Sequence, residues 1–165
     1  MIPPAAVRWG AVLFALPIAL SACTSPSPGE NVTTSRPSTA SANFAQADAR
    51  IRAALVEVAR RLTDEVGAEL SSTVPEPSRS SCGDGGVRGY YRLPDFTTPI
   101  ADEKWPTAVQ VVEEVFNPLG ATEVTVHLDK PGKHTLSLTA PAGLEVAFGT
   151  IVVAALTVTG PCVPA

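Results

Sequence analysis

Two histidines with an acid between them, His127, Asp129 and His134, are the residues whose types most invite chemistry. Two imidazoles and a carboxylate are ligand types of a zinc site. Whether they converge depends on strand register. A two-residue turn at Pro131-Gly132 pairs Asp129 with His134 and leaves His127 on the same face. That register sets Leu136 and Leu138 opposite Val124, Val126 and Leu128. A one-residue shift, through an odd-length or bulged turn, puts all five aliphatic side chains on one buried face, and register follows the hydrophobic pattern. The shift parts His134 from His127 and Asp129. The reading is therefore solvated histidines, no metal and no cofactor.

Other groupings are weaker. Cys82-Gly83-Asp84-Gly85-Gly86 could cradle an anion with its amides, but it lacks the Gly-Lys-Ser/Thr ending of a phosphate loop and no helix follows. It reads as a turn beside a disulfide. Arg88-Gly89-Tyr90-Tyr91-Arg92 alternates bases and aromatics as nucleic-acid binders do. Five residues in an acidic chain read instead as strand packing, and nucleic acid is not expected. Glu113 and Glu114 are adjacent on a helix and do not face each other. Neither histidine lies near a Gly-x-Ser-x-Gly elbow. No catalytic residues are assigned, and the chain is read as a non-enzyme.

The three cysteines divide by position. Cys23 follows a weakly positive start and an apolar run, Ala11 to Leu20, that is too short for a bilayer, which needs about 20 residues. Leu20-Ser21-Ala22-Cys23 resembles a bacterial lipobox. The resemblance implies cleavage before Cys23, a diacylglycerol thioether on its sulfur, and acylation of the new amine. Two or three acyl chains make a stable anchor. Cys82 sits just before the first expected strand and Cys162 just after the last. An extracytoplasmic compartment permits their pairing. Closing a loop of about 80 residues has a chain-entropy value of about 4.5 kcal/mol.

The elements that would position these residues follow from periodicity. Residues 1–22 read as a signal peptide. Residues 23–43, with nine Ser/Thr and three Pro after Cys23, read as the anchor and a disordered tether. The domain is 44–165. Asn43 and Gln46 form a capping-box pattern. Ile51, Leu55, Val58, Leu62, Val66 and Leu70 then predict a helix over about 44–70. Val87–Leu93 predicts a strand. Pro106 opens a second helix whose apolar face is Ala108, Val109, Val112, Val115, Phe116 and Leu119, with Pro118 and Gly120 closing it. Thr122–Leu128 and Thr135–Ala140 alternate as strands. Leu144–Gly149 and Val152–Thr159 are two further strands or one long one. The expected fold is α+β: two helices packed on one face of an antiparallel sheet of four to five strands, closed by one disulfide.

Composition agrees. The chain has 165 residues, one domain's worth, with 45% hydrophobic residues to build a core. Its net charge of −4 gives no basic face for nucleic acid. Loss of residues 1–22 would remove only Arg8, so no polybasic patch assists an acyl anchor.

Leu119-Gly120-Ala121-Thr122, Gly143-Leu144-Glu145-Val146 and Leu156-Thr157-Val158-Thr159-Gly160-Pro161-Cys162 resemble the C-terminal half of the mycobacterial LppA-type lipoproteins, and Cys82 after a long first helix fits too. The likeness spans roughly 44–165. It implies a lipid-anchored cell-envelope protein of actinobacteria with no assigned catalytic residues. The expectation is a monomeric binding or scaffold domain on the extracytoplasmic face of the cell membrane, with an envelope protein or lipid as partner. A lipid or glycolipid carrier, with an apolar pocket between helices and sheet, is the alternative; an envelope hydrolase comes third.

Overall fold

The computed structural model describes residues 39–69, 74–83 and 85–164, with side chains from Asn43 onward. Helix α1 (Thr39–Arg61) begins four residues before Asn43, which therefore lies inside the helix and does not cap it. Ile51, Leu55, Val58 and Leu62 are buried along one face, at the expected spacing of three and four. Salt bridges Arg60–Glu57, Arg60–Asp64 and Arg61–Glu65 run along exposed positions. The helix widens into a π turn (Leu62–Val66), and Gly67 at φ 76° ends it. Only glycine takes that left-handed conformation without strain. Leu70, expected on the same face, lies outside the described residues.

Helix α2 (Trp105–Phe116) follows a 3-10 turn, Asp102–Lys104. Pro106 sits in its first turn, where a missing N–H removes no helical bond. Ala108, Val111, Val112 and Phe116 face the core fully buried. Arg61 joins the two helices by bridging Glu65 at 2.6 Å and Glu114 at 2.8 Å.

The sheet has seven strands among the described residues, not four to five. They are β1 (Ser78–Cys82), β2 (Gly86–Arg92), β3 (Glu123–Lys130), β4 (Lys133–Thr139), β5 (Glu145–Thr150), β6 (Ala154–Thr159) and β7 (Val163–Pro164). The order is β1-β2-β6-β5-β4-β3, and all the pairings are antiparallel. Residues 144–159 form a hairpin, β5 and β6, not one long strand. Strand β7 carries the line of β6 onward beside β2, after a one-residue slip in register between Gly160, still opposite Gly89, and Val163.

Both helices cover one face. Leu136 and Leu138, Val146 and Phe148, and Ala154, Leu156 and Val158 project into it from β4, β5 and β6. Leu55, Val58, Leu62, Val111, Val112 and Phe116 fill the space from the helix side, each wholly buried. The opposite face of the sheet carries Thr135, Ser137, Ala147, Gly149, Ala155 and Thr157, as strand alternation requires.

Tyr91 ties α1 to the sheet by donating its hydroxyl to Asp48 at 3.0 Å. Burial, then the Asp48 carboxylate, push the hydroxyl's pKa up, so it stays a donor. Its ring leaves no room for a Cβ on Gly89, which would meet the Tyr91 oxygen at 2.6 Å. The Arg-Gly-Tyr-Tyr-Arg segment is thus strand packing, as read from the sequence. At this end of the molecule Arg79 stacks over Phe44, and Cys82 and Cys162 form a disulfide with Cα atoms 5.9 Å apart. Gly86 lies so close that a Cβ there would meet the Cys162 sulfur at 2.6 Å. Among the described residues no helix is long and apolar enough to cross a membrane.

Candidate functional site

The register of β3 on β4 resolves the histidine question in a way neither simple alternative does. The turn at Pro131-Gly132 is tight, and Asp129 pairs with His134. A bulge at His127 then shifts the register, so that Val124 and Val126 pair with Leu138 and Leu136 on the helix-covered face. The extra residue absorbs the conflict between turn chemistry and hydrophobic pattern. His127 and Leu128 turn to the open face. Two expectations are corrected. Asp129 stays with His134, and His134 is not solvated: it is only 6% exposed.

His134 is held on both ring nitrogens. Nδ1 lies 2.7 Å from Asp129 Oδ1, and Nε2 lies 3.0 Å from Asp102 Oδ1. A neutral imidazole donates from one nitrogen only, so two carboxylate acceptors call for the imidazolium. Burial works against that charge, but the hydrogen bonds to Asp102 and Asp129 outweigh it and raise the His134 pKa. Asp102 is held below the usual carboxylate range, first by His134 and then by the Gly132 amide, which donates to it at 2.7 Å. The Trp105 ring stacks between His134 and Phe148, each centroid 5.0 Å away. The cluster pins the start of α2 to the β3–β4 turn.

A raised histidine pKa stabilises fully below the unfolded value, about 6.5, and that contribution is lost as pH rises through the folded value. A lowered Asp102 pKa stabilises fully above about 3.9 and is lost as pH falls through its folded value. The contribution of this cluster should therefore peak between about pH 4 and about pH 6.5. Urea unfolding should show the wild type losing stability between pH values of about 5.5 and 8.5, with His134→Gln losing markedly less. Equal losses in both would remove His134 as the cause.

The zinc grouping does not form. Both nitrogens of His134 face carboxylates, and His127 is on the other face, its Nε2 2.8 Å from Ser137 Oγ. Among the described residues no three His, Cys, Asp or Glu side chains are arranged to hold a metal. The glycine-rich segment after Cys82 is the β1–β2 turn, and its Asp84 lies outside the described residues. Glu113 and Glu114 diverge: Glu114 bridges to Arg61, while Glu113 borders a cleft of about 360 Å³ between α2 and β3. Cys23 lies outside the described residues.

The larger concavity is on the open face, about 420 Å³. Ala147, Gly149 and Ala155 are its small-residue floor, the β5–β6 loop Ile151-Val152-Val153 is one wall, and His127 borders it. Val152 is 79% exposed, so the loop presents aliphatic carbon to water. The groove is not among the features expected from the sequence. The alternating small residues of β5 and β6 were its only signal, and they are equally compatible with a covered face.

The fold and these surfaces define a class: a disulfide-closed α+β domain whose helices pack one sheet face and leave the other open. The chain belongs to the LppA family, described as a lipoprotein confined to pathogenic Mycobacterium, which matches residues 24–163. Its fold is similar to that of LppA from Mycobacterium tuberculosis, at 17% identity and a TM-score of 0.54 over 73% of this chain and 78% of that one. It is also similar to a DUF4853 family protein from Actinomyces odontolyticus, at 22% identity and a TM-score of 0.52 over 79% and 71% of the two chains. No curated protein matches the sequence. Membership makes this a lipoprotein, with the membrane anchoring that the family description suggests.

Proposed function

We propose that this lipoprotein is a non-enzymatic binding module, held through acylated Cys23 on the extracytoplasmic face of the membrane, and that the open face of its sheet is the binding surface. The observation that carries this reading is the 420 Å³ apolar groove on that face, a size typical of small-ligand sites. A carrier pocket between helices and sheet, the alternative expected from sequence, has its place occupied by Leu55, Val58, Val112, Phe116, Leu138 and Leu156. A ligand would therefore sit outside the core.

The His127–Ser137 pair supports binding better than hydrolysis. Ser137 is in mid-strand, with β3 on one side and β5 on the other, so neighbouring amides are engaged in ladders. They do not converge on a developing oxyanion, as acyl transfer needs.

Cys23→Ala should move the protein out of the membrane fraction. Native mass spectrometry of that released variant should reveal a co-purified small molecule, and adding Ala147→Trp, which fills the groove, should remove it. Full membrane retention of Cys23→Ala would reject the anchor. A mass equal to that of the bare chain, with and without Ala147→Trp, would reject the binding reading.

A further inference from the structure

The open face carries a charge arrangement that names its ligand class. Lys130 and Lys133 pair directly across the β3–β4 turn. Like charges directly opposite each other repel. Both are exposed, and neither makes an ion pair among the described residues. The nearest carboxylates, Asp129 on β3 and Asp102 at the Gly132 amide of the turn, lie on the helix face and are both hydrogen-bonded to His134. These are two of only three lysines in a chain of net charge −4.

Their position relates them to the groove. Lys133 is two residues before Thr135 on the same strand, so both project from the same face. Thr135 lines the groove. The last β4–β5 pair is His134 with Thr150; Lys133 precedes it on β4, and Ile151 follows it as the first residue of the β5–β6 loop. The cationic pair thus stands at the end of the groove where the Ile151-Val152-Val153 wall begins.

We infer that this groove binds a single-chain anionic amphiphile, with the acyl chain on Ala147, Gly149 and Ala155 against the Ile151–Val153 wall, and its phosphate or carboxylate between Lys130 and Lys133. This rests on the binding reading above and adds the ligand's chemistry. An anion there replaces lysine–lysine repulsion with two attractions, and the aliphatic loop gains a hydrocarbon cover. The protein's overall acidity would disfavour an anion elsewhere on its surface, so the pair also supplies selectivity.

The test uses the full chain carrying Cys23→Ala and two lysolipids with the same myristoyl chain, below their micelle concentrations. Calorimetric titration should show lysophosphatidylglycerol binding about tenfold more tightly than lysophosphatidylcholine, with the preference fading as salt shortens the Debye length. Lys130→Glu with Lys133→Glu should abolish the preference and leave lysophosphatidylcholine binding unchanged. Ala147→Trp, at an exposed position, should weaken both lysolipids about tenfold without lowering the melting temperature.

Equal affinity for the two lysolipids, indifferent to charge reversal yet lost in Ala147→Trp, would overturn the anionic assignment and leave the groove standing as a binding site. Binding to phosphatidylglycerol vesicles without binding of the monomeric lysolipid would overturn it in favour of a membrane surface. Failure of both lysolipids to bind would overturn it outright. The co-purified ligand of the native mass measurement would then decide the fate of the binding reading separately.

Discussion

Replacing the disulfide cysteines together, Cys82→Ser with Cys162→Ser, should cost about 4.5 kcal/mol of stability, from the chain entropy of a loop whose ends are 80 positions apart in sequence. In a domain of this size that lowers the melting temperature by on the order of 15 °C. The topology makes the cross-link matter. Strands β1 and β2 join the rest of the sheet through three β2–β6 pairs, Tyr90–Thr159 to Arg92–Thr157, and two β2–β7 pairs. Without the sulfur bridge, β7 is held by those two pairs and by its packing against α1, and the β1–β2 hairpin loosens with it. Thermal melts of the variant, and of the wild type with reductant, should agree. A variant melting within about 2 °C of the oxidised wild type would show that the denatured chain gains nothing from losing the link.

Phe148→Ala should cost about 3–5 kcal/mol, the range for truncating a well-packed buried aromatic. Phe148 is 2% exposed, packs in the main core and supports the Trp105 ring. Its loss leaves a void beneath the Trp105–His134 stack, so the damage should spread to the α2–turn junction. Two readouts separate the local from the global effect. Urea titration gives the free energy, and Trp105 emission in the still-folded variant should shift as the ring loses its neighbour. Phe148→Leu, which keeps most of the volume, should cost about 1–1.5 kcal/mol. A loss below about 1 kcal/mol for alanine would mean that the core closes over the gap.

Much of this fold was legible because its apolar residues keep strict periods. Pro106 at one end and Gly120 at the other bracket α2 and its closing turn, and the strands of the β4–β5–β6 meander alternate cleanly. The two strands that raised the count to seven gave no such signal. β1, Ser-Arg-Ser-Ser-Cys, is exposed at all but its last residue, so no burial pattern was written into it. β7 is two residues long, and only its ladder to β2 defines it. The first helix starts early because Thr39–Ala42 precede the periodic stretch without contradicting it.

The site was half legible. Asp129 and His134 flank a Pro-Gly turn, which already proposes their pairing. The hydrophobic pattern argued against it, and the inserted residue keeps the turn pairing while setting Val124 and Val126, though not Leu128, on the face of Leu136 and Leu138. Asp102 had no local signal: it reaches His134 from 32 residues away through the packing of α2 on the sheet. The groove was invisible for a related reason. Small residues in alternation say which side of a strand is thin, not whether anything covers it.

The bulge at His127 has a further consequence. β3 is the last strand of its sheet, eight residues long, with Val126 62% exposed. A straight strand of that length would offer a neighbouring copy an unbroken row of backbone donors and acceptors, and sheets would grow from molecule to molecule. The inserted residue breaks the row midway, and Asp129, turned inward beyond it, places a charge where an added strand would need carbon. The irregularity that parts the two histidines also interrupts the edge along which a second copy would have to pair.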